Sequence, residues 1–306
     1  MKAAGAVGAV GAAVAAAVGG WEAADSARVI SASYPEGPLY VGEVLYYAEM
    51  GADTVTVVES GTPRRLFEQD GCGPTAIAQY GGGFLVLCHI GRRIVALSSS
   101  GQVESAWAET SDGQAFLNPN DASADGNGGV YLSDPGTFSR DSNPEGRIIY
   151  VSSSGSVEVV ADGLWYPNGV FVDRSAGRLL VSEHLAGRVL SFDILVDGSL
   201  GQATTFADTA EAPADRFDDE YREAGPDGLE IGPRGEVYVA IYGEGRIIVL
   251  GSSGEFLREH TVPTRFVTNI AFANGGMVAT TGAFDNRNPP YAGEVRLWSL
   301  DEPGEP

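Results

Sequence analysis

The sequence predicts an all-β chain folded as a six-bladed β-propeller over residues 29–302, with a central channel and one axial metal site. Three observations predict it. A pattern of short apolar strands separated by Gly-rich turns recurs six times, its centres 39, 45, 48, 59 and 42 residues apart. No apolar run keeps a helical spacing, which removes the α/β alternatives. Glycine and proline, 42 and 16 of 306 residues, suit many tight turns rather than a helical bundle.

Each repeat opens with a small polar motif that runs into a strand. The openings are "YPEGPLYV", "CGPTAIAQ", "NPNDASAD", "YPNGVFVD", "GPDGLEIG" and "FVTNIAFA". A second strand comes next ("VLYYAE", "FLVLCH", "VYLSDP", "LLVSEH", "VYVAIY", "MVATTG"), then a third that usually begins with arginine, as in "GRIIYVS" and "GRIIVLG". The early segment "ARVISAS" is positioned to supply the outermost strand of the last blade, closing the ring and removing its exposed edges.

Loop lengths choose a working face. Turns between first and second strands are short and glycine-rich ("YGGG", "GNGG", "PRG"). The long segments "PGTFSRDSNPEG", "FADTAEAPADRFDDEYREAG" and "AFDNRNPPYAG" collect at the opposite end, where a substrate is expected. The repeat centres Glu36, Thr75, Asn120, Asn168, Asp227 and Asn269 open onto that end, and all but Thr75 are Glu, Asn or Asp. Innermost strands converge, so these side chains crowd one axial point. Carboxylates and amides crowded there without a cation are costly through repulsion and desolvation. An oxygen-only donor set selects one hard divalent cation, calcium first, with magnesium, manganese, zinc or iron(II) as alternatives.

The formal net charge is -22 and Lys2 is the only lysine. Such a surface repels phosphate backbones and anionic lipid, which leaves a small molecule as the expected partner of a chain expected to be monomeric. No later stretch is long and apolar enough to cross a bilayer. Residues 1–28, beginning "MKAAGAVGAVGAAVAAAVGG", read either as a weakly hydrophobic secretory signal or as a disordered leader, so localisation stays open between cytoplasmic and secreted or periplasmic. Residues 303–306 form a short tail. Cys72 and Cys88 have neither the number of a disulfide framework nor zinc spacing, and read as small apolar core residues.

The chain resembles the senescence marker protein, gluconolactonase and luciferin-regenerating enzyme family, which includes regucalcin. The resemblance rests on "YPEGPLYVGEVLYYAEM", "NPNDASADGNGGVYLSDP", "YPNGVFVDRSAGRLLVSEHLAGRV" and "GPDGLEIGPRGEVYVA", in that order and spacing. It implies a six-bladed propeller with one catalytic divalent metal and, in many members, lactone hydrolysis. The family's glutamate, asparagine and aspartate ligands fall on Glu36, Asn168 and Asp227. Its asparagine contacting metal or substrate falls on Asn120, and the adjoining acid on Asp121. Sugar-lactonase members often carry arginine two residues before the Asn120 position, where this chain has Asn118. An anchor for sugar hydroxyls is thus missing, which points to less hydroxylated lactones.

The expected chemistry is metal-assisted attack of water on a small lactone, with Asp227 as the candidate base and Asp121 as its rival. Asn118, Asn120, His89, His184 and Tyr242 are the candidate substrate contacts, and Tyr40, Trp165 and Tyr166 are further aromatic candidates. His89 and His184 occupy matching places after second strands. His260 lies in an outer segment and reads as solvated. Two other readings stand beside the lactonase: an organophosphate or ester hydrolase, and a non-catalytic calcium-binding propeller. Fold alone does not choose among them. The Gly-Xaa-Ser-Xaa-Gly elbow, the paired-histidine zinc motif and the phosphate-cradling Gly-Lys loop do not occur.

Overall fold

The computed structural model describes residues 28–209, 221–273 and 276–299. The leader, apart from Arg28, and the 303–306 tail lie outside the described residues. Among the described residues, twenty-four strands form six four-stranded antiparallel sheets. β1 (Arg28–Ser33) comes first in sequence but belongs to the sixth blade. Blade one is β2 (Pro35–Val41), β3 (Val44–Glu49), β4 (Thr54–Glu59) and β5 (Thr62–Glu68). Blade two is β6 (Pro74–Tyr80), β7 (Gly83–Cys88), β8 (Arg93–Leu97) and β9 (Val103–Trp107). Blade three is β10 (Ala122–Ala124), β11 (Val130–Asp134), β12 (Gly146–Val151) and β13 (Val157–Leu164). Blade four is β14 (Pro167–Asp173), β15 (Arg178–Glu183), β16 (Arg188–Asp193) and β17 (Thr204–Asp208). Blade five is β18 (Gly225–Ile231), β19 (Val237–Tyr242), β20 (Arg246–Leu250) and β21 (Phe256–Thr261). Blade six is β22 (Phe266–Phe272), β23 (Met277–Ala283) and β24 (Ala292–Ser299), completed by β1.

The first strands touch pairwise around the ring, β2 to β6 to β10 to β14 to β18 to β22 and back to β2, so they are innermost and enclose the channel. The expected closure is present: β1 pairs antiparallel with β24, from Arg28 opposite Leu297 to Ser33 opposite Ala292. Closure covers the outer edge of β24, which would otherwise stand exposed at the end of a three-stranded blade.

Apolar residues such as Leu85, Leu132, Val181, Val239 and Val278 are fully buried because both faces of each blade are covered by neighbours. The core is consequently a set of clusters between successive blades. One joins Leu85 and Ile94 to Leu132 and Ile149; another joins Ile30 and Val295 to Leu45 and Tyr47. Truncating one such leucine or isoleucine to alanine costs about 2–5 kcal/mol.

The innermost strands approach so closely that glycine is required beside the channel. A Cβ on Gly169 would lie 2.2 Å from the Asp227 carbonyl oxygen, and one on Gly228 would lie 2.0 Å from the Asn269 side chain. Three openings therefore read Pro-Glu-Gly, Pro-Asn-Gly and Pro-Asp-Gly: the residue before the glycine carries the functional group and the glycine admits the next strand.

Two expectations are corrected here. Cys72 and Cys88 are joined in a buried disulfide. Pairing of β6 with β7 sets Pro74 opposite Cys88, which brings the two cysteine Cα atoms to 4.5 Å despite a separation of 16 residues. His260 is on an outermost strand as expected, but it is buried rather than solvated, its ring parallel to that of Tyr238 at 6.2 Å.

Candidate functional site

The channel ends in two cavities of about 430 Å³ each. The one on the long-loop face holds Glu36, Thr75, Asn120, Asn168 and Asp227 at its floor, each from a different blade. Residues at or beyond the ends of the second strands wall it: Met50, His89, Phe138, His184, Tyr242 and Asn286. The other cavity, at the short-turn face, is lined by Tyr40, Asp121, Glu230 and Asn269, among others.

A recurring irregularity aims the floor residues. Register shifts by a residue or more fall between Glu36 and Leu39, Pro74 and Ala76, Pro167 and Val170, Pro226 and Leu229, and Val267 and Asn269. In blade three, Asn120 N–H donates to the Ser133 carbonyl at 2.9 Å and Ser133 N–H donates to the Asp121 carbonyl at 3.0 Å. Two residues there oppose one. Bulges of this kind re-aim side chains, and they let consecutive residues serve opposite ends of the channel.

That arrangement separates Asn120 from Asp121. Asn120 faces the long-loop cavity, which it lines together with Tyr166. Asp121 faces the other cavity, where Oδ2 accepts from Val170 N–H at 3.0 Å. Blade six obeys the same rule with a consequence for the expected register. Asn269 lines the short-turn cavity, and the bulge residue that matches Thr75 is Thr268, whose hydroxyl donates to the Pro35 carbonyl at 2.8 Å. The expected repeat centre was thus one residue too far along.

Acidic residues at the ends of second strands anchor the loops that carry the floor residues. Glu49 Oε2 accepts from Ser33 N–H at 3.0 Å, Asp134 Oδ1 accepts from Leu117 and Asn118 N–H at 2.9 and 2.7 Å, and Glu183 Oε1 accepts from Trp165 N–H at 2.9 Å. The third-strand arginines Arg147 and Arg188 pair with Asp134 and Glu183.

Glu36 and Asp227 are both buried. Burial raises the pKa of Glu36 well above the usual carboxylate range, and the Asp227 charge raises it further. Burial likewise raises Asp227, with the Asp121 charge adding to the effect. Burial pushes Asp121 up to about 6. Arg287, the one cation among the cavity's described residues, is exposed at its rim. No group of three or more His, Cys, Asp or Glu side chains with metal-binding geometry occurs among the described residues. A cation at the floor would therefore be held by the two carboxylates together with the Asn120 and Asn168 amide oxygens. Two buried like charges beside two neutral oxygen donors fit a hard divalent ion.

Of the remaining sequence candidates, His89, His184 and Tyr242 line the same cavity. The His184 Nε2 lies 2.7 Å from the Glu223 carbonyl oxygen, so that nitrogen carries the proton of a neutral ring; burial lowers its pKa to about 4. Burial lowers His89 to about 4 as well. The Tyr242 hydroxyl is shared with Tyr34 at 2.7 Å and accepts from Asn286 Nδ2 at 2.9 Å. Asn118 does not line the cavity: its Oδ1 accepts from Gly136 N–H at 2.6 Å and its Nδ2 donates to the Gly136 carbonyl at 2.8 Å. Tyr40 belongs to the other cavity, and the half-exposed Trp165 is absent from both. Sequence reasoning missed Tyr34, Phe138, Tyr221 and Asn286, whose only signal was membership of an opening or a long loop.

Residues 34–281 match the SMP-30/gluconolactonase/LRE-like region. Lactonase drp35 of Staphylococcus saprophyticus is 27% identical over 65% of this chain, which spans 60% of that relative's length. A 6-deoxy-6-sulfogluconolactonase of Pseudomonas putida is 26% identical over 84% of both chains. Among solved structures, a luciferin-regenerating enzyme superposes with a TM-score of 0.71 at 18% identity, covering 90% of this chain and 96% of the other. The calcium-binding protein regucalcin of Agrobacterium tumefaciens gives 0.67 at 14% identity, covering 90% and 94%. The structural likenesses carry the fold, and the match across 34–281 carries the kinship: the chain belongs to the SMP-30/gluconolactonase/LRE-like family.

Proposed function

We propose that this chain is a divalent-cation-dependent lactonase. The observation that carries the reading is the joint burial of Glu36 and Asp227 with Asn120 and Asn168 at the floor of one loop-walled cavity. Relatives named lactonase support the reaction class. When bound, a divalent cation, calcium first, supplies charge stabilisation for the oxygen of the carbonyl under attack.

The chain's own groups supply the rest. Asn120, beside Tyr166 in the same cavity, contacts the substrate. The buried Asp227 carboxylate accepts the proton of the attacking water. Water oxygen bonds to the carbonyl carbon, the ring C–O bond breaks, and the proton passes to the departing ring oxygen, giving a hydroxy acid. Asp121 contributes from the other end of the channel as a fixed negative charge, its carboxylate held by Val170 N–H.

Chelation, reloading with single cations, and pH-stat assay of lactones, esters and phosphotriesters test the proposal. Cation-dependent turnover highest on lactones is the expected result. Turnover confined to phosphotriesters or esters would move the assignment to those hydrolases. A calcium-raised thermal midpoint with no turnover of any class would leave a calcium-binding protein.

A further inference from the structure

Phe138 is the only apolar side chain between Gly136 and Asn143, and it is 38% exposed in the long loop joining β11 to β12. It nevertheless meets three rings of the cavity wall. Its centroid lies 4.8 Å from Tyr166, 5.3 Å from His184 and 6.3 Å from Tyr242, the last two edge to face. These distances are those of favourable aromatic pairs.

The Tyr242 hydroxyl and His184 Nε2 of that wall are already engaged, and His184 Nδ1 is buried out of contact with solvent and without a partner among the described residues. The Tyr242 hydroxyl is bonded to Tyr34 and Asn286, and His184 Nε2 to the Glu223 carbonyl. What the wall offers a ligand is ring surface.

The loop is tied on both sides of Phe138. On one side Asn118 holds both the N–H and the carbonyl of Gly136. On the other, the Arg140 guanidinium donates to the Leu185 carbonyl at 3.1 Å, the Ala224 carbonyl at 2.9 Å and the Arg222 carbonyl. One side chain therefore joins the Phe138 loop to the two segments that flank His184 and lead into β18.

We propose that Phe138, held over the cavity mouth by Arg140, forms with Tyr166, His184 and Tyr242 an aromatic subsite for an apolar substituent on the substrate ring. Phe138 is the specificity-determining contact and Arg140 a positioning residue. The inference rests on the lactonase reading for the identity of the ring, but not for the existence of the subsite.

The test separates the two. Calorimetric binding of 2-pyrrolidinone and 5-phenyl-2-pyrrolidinone, ring amides chosen to resist turnover, is measured on the calcium-loaded full chain, with lactone hydrolysis assayed in parallel. The phenyl compound should bind wild type roughly tenfold or more tightly than the parent, the scale of burying an aromatic group. Phe138→Ala should collapse that ratio toward one. Arg140→Ala should reduce it and raise KM for a phenyl-substituted lactone more than it lowers kcat. A ratio near one in wild type, or a ratio unchanged in Phe138→Ala, overturns the subsite whatever the hydrolysis assay shows. A collapsed ratio in a chain that opens no lactone upholds the subsite and removes the lactonase reading alone.

Discussion

Glu36 on blade one and Asp227 on blade five reach the same buried end of the channel, and the charge of Asp227 raises the pKa of Glu36. Two like charges so placed are tolerated when a cation lies between them. Glu36→Gln and Asp227→Asn keep oxygen donors and shape while removing one charge each. Each variant should stay folded, because the core lies between the blades rather than at the channel. Lactone hydrolysis should fall by at least ~10²-fold, the scale for losing a general base or a charge stabiliser. The calcium-induced rise in thermal midpoint should shrink in both. Near-normal turnover by calcium-loaded Asp227→Asn would remove Asp227 from the chemistry.

Gly169 stands where a Cβ would lie 2.2 Å from a backbone oxygen, an atom with little freedom to give way. Gly169→Ala should therefore cost about 1–3 kcal/mol, the scale of an overpacked site. It should also weaken calcium binding, because the strained atoms are the Asp227 backbone. At Gly201 an added Cβ meets nothing nearer than 3.4 Å, so Gly201→Ala serves as the control. Equal denaturation midpoints for the two variants would refute the close-approach account.

Asp134 accepts from two backbone N–H groups and pairs with the buried Arg147. Asp134→Ala leaves the guanidinium without its carboxylate and releases the segment that leads to Asn120. A loss of about 3–5 kcal/mol is expected for breaking a buried pair from one side. Urea denaturation measures it, and a loss below ~1 kcal/mol would show that the anchor is dispensable.

Burial, with Arg258 adding to it and Glu236 and Glu259 opposing, lowers the pKa of His260 to about 4. The folded state therefore stays neutral at this position while the unfolded chain takes up a proton below about pH 6.5. The resulting stability is present above that pH and is lost as pH falls towards 4, amounting to at most about 2 kcal/mol by pH 5 and less where solvent screens the ring. His260→Phe keeps a ring against Tyr238 and cannot titrate. Its stability should decline less than that of wild type between pH 7 and pH 5. Parallel pH profiles would overturn the assignment.

Repetition made much of this protein legible from its residues. The six openings, the closing strand Arg28–Ser33 and the long-loop face could all be read because each recurs or answers a recurrence. For the same reason Glu36, Asn120, Asn168 and Asp227 stood out as a set before any geometry was known, as did the matching positions of His89 and His184. The end of the channel that each polar residue serves was settled only by strand pairing in three dimensions. Side chains alternate along a strand, so a slip of one residue exchanges the two ends, and a bulge introduces such a slip without any mark in composition. Thr268 rather than Asn269 therefore takes the place matching Thr75, and Asp121 parts from its neighbour Asn120. Pairing across β6 and β7 likewise made a disulfide of two cysteines whose spacing signalled none. The Phe138 aromatic wall gathers side chains from several blades, and proximity of that kind exists only after the ring has closed.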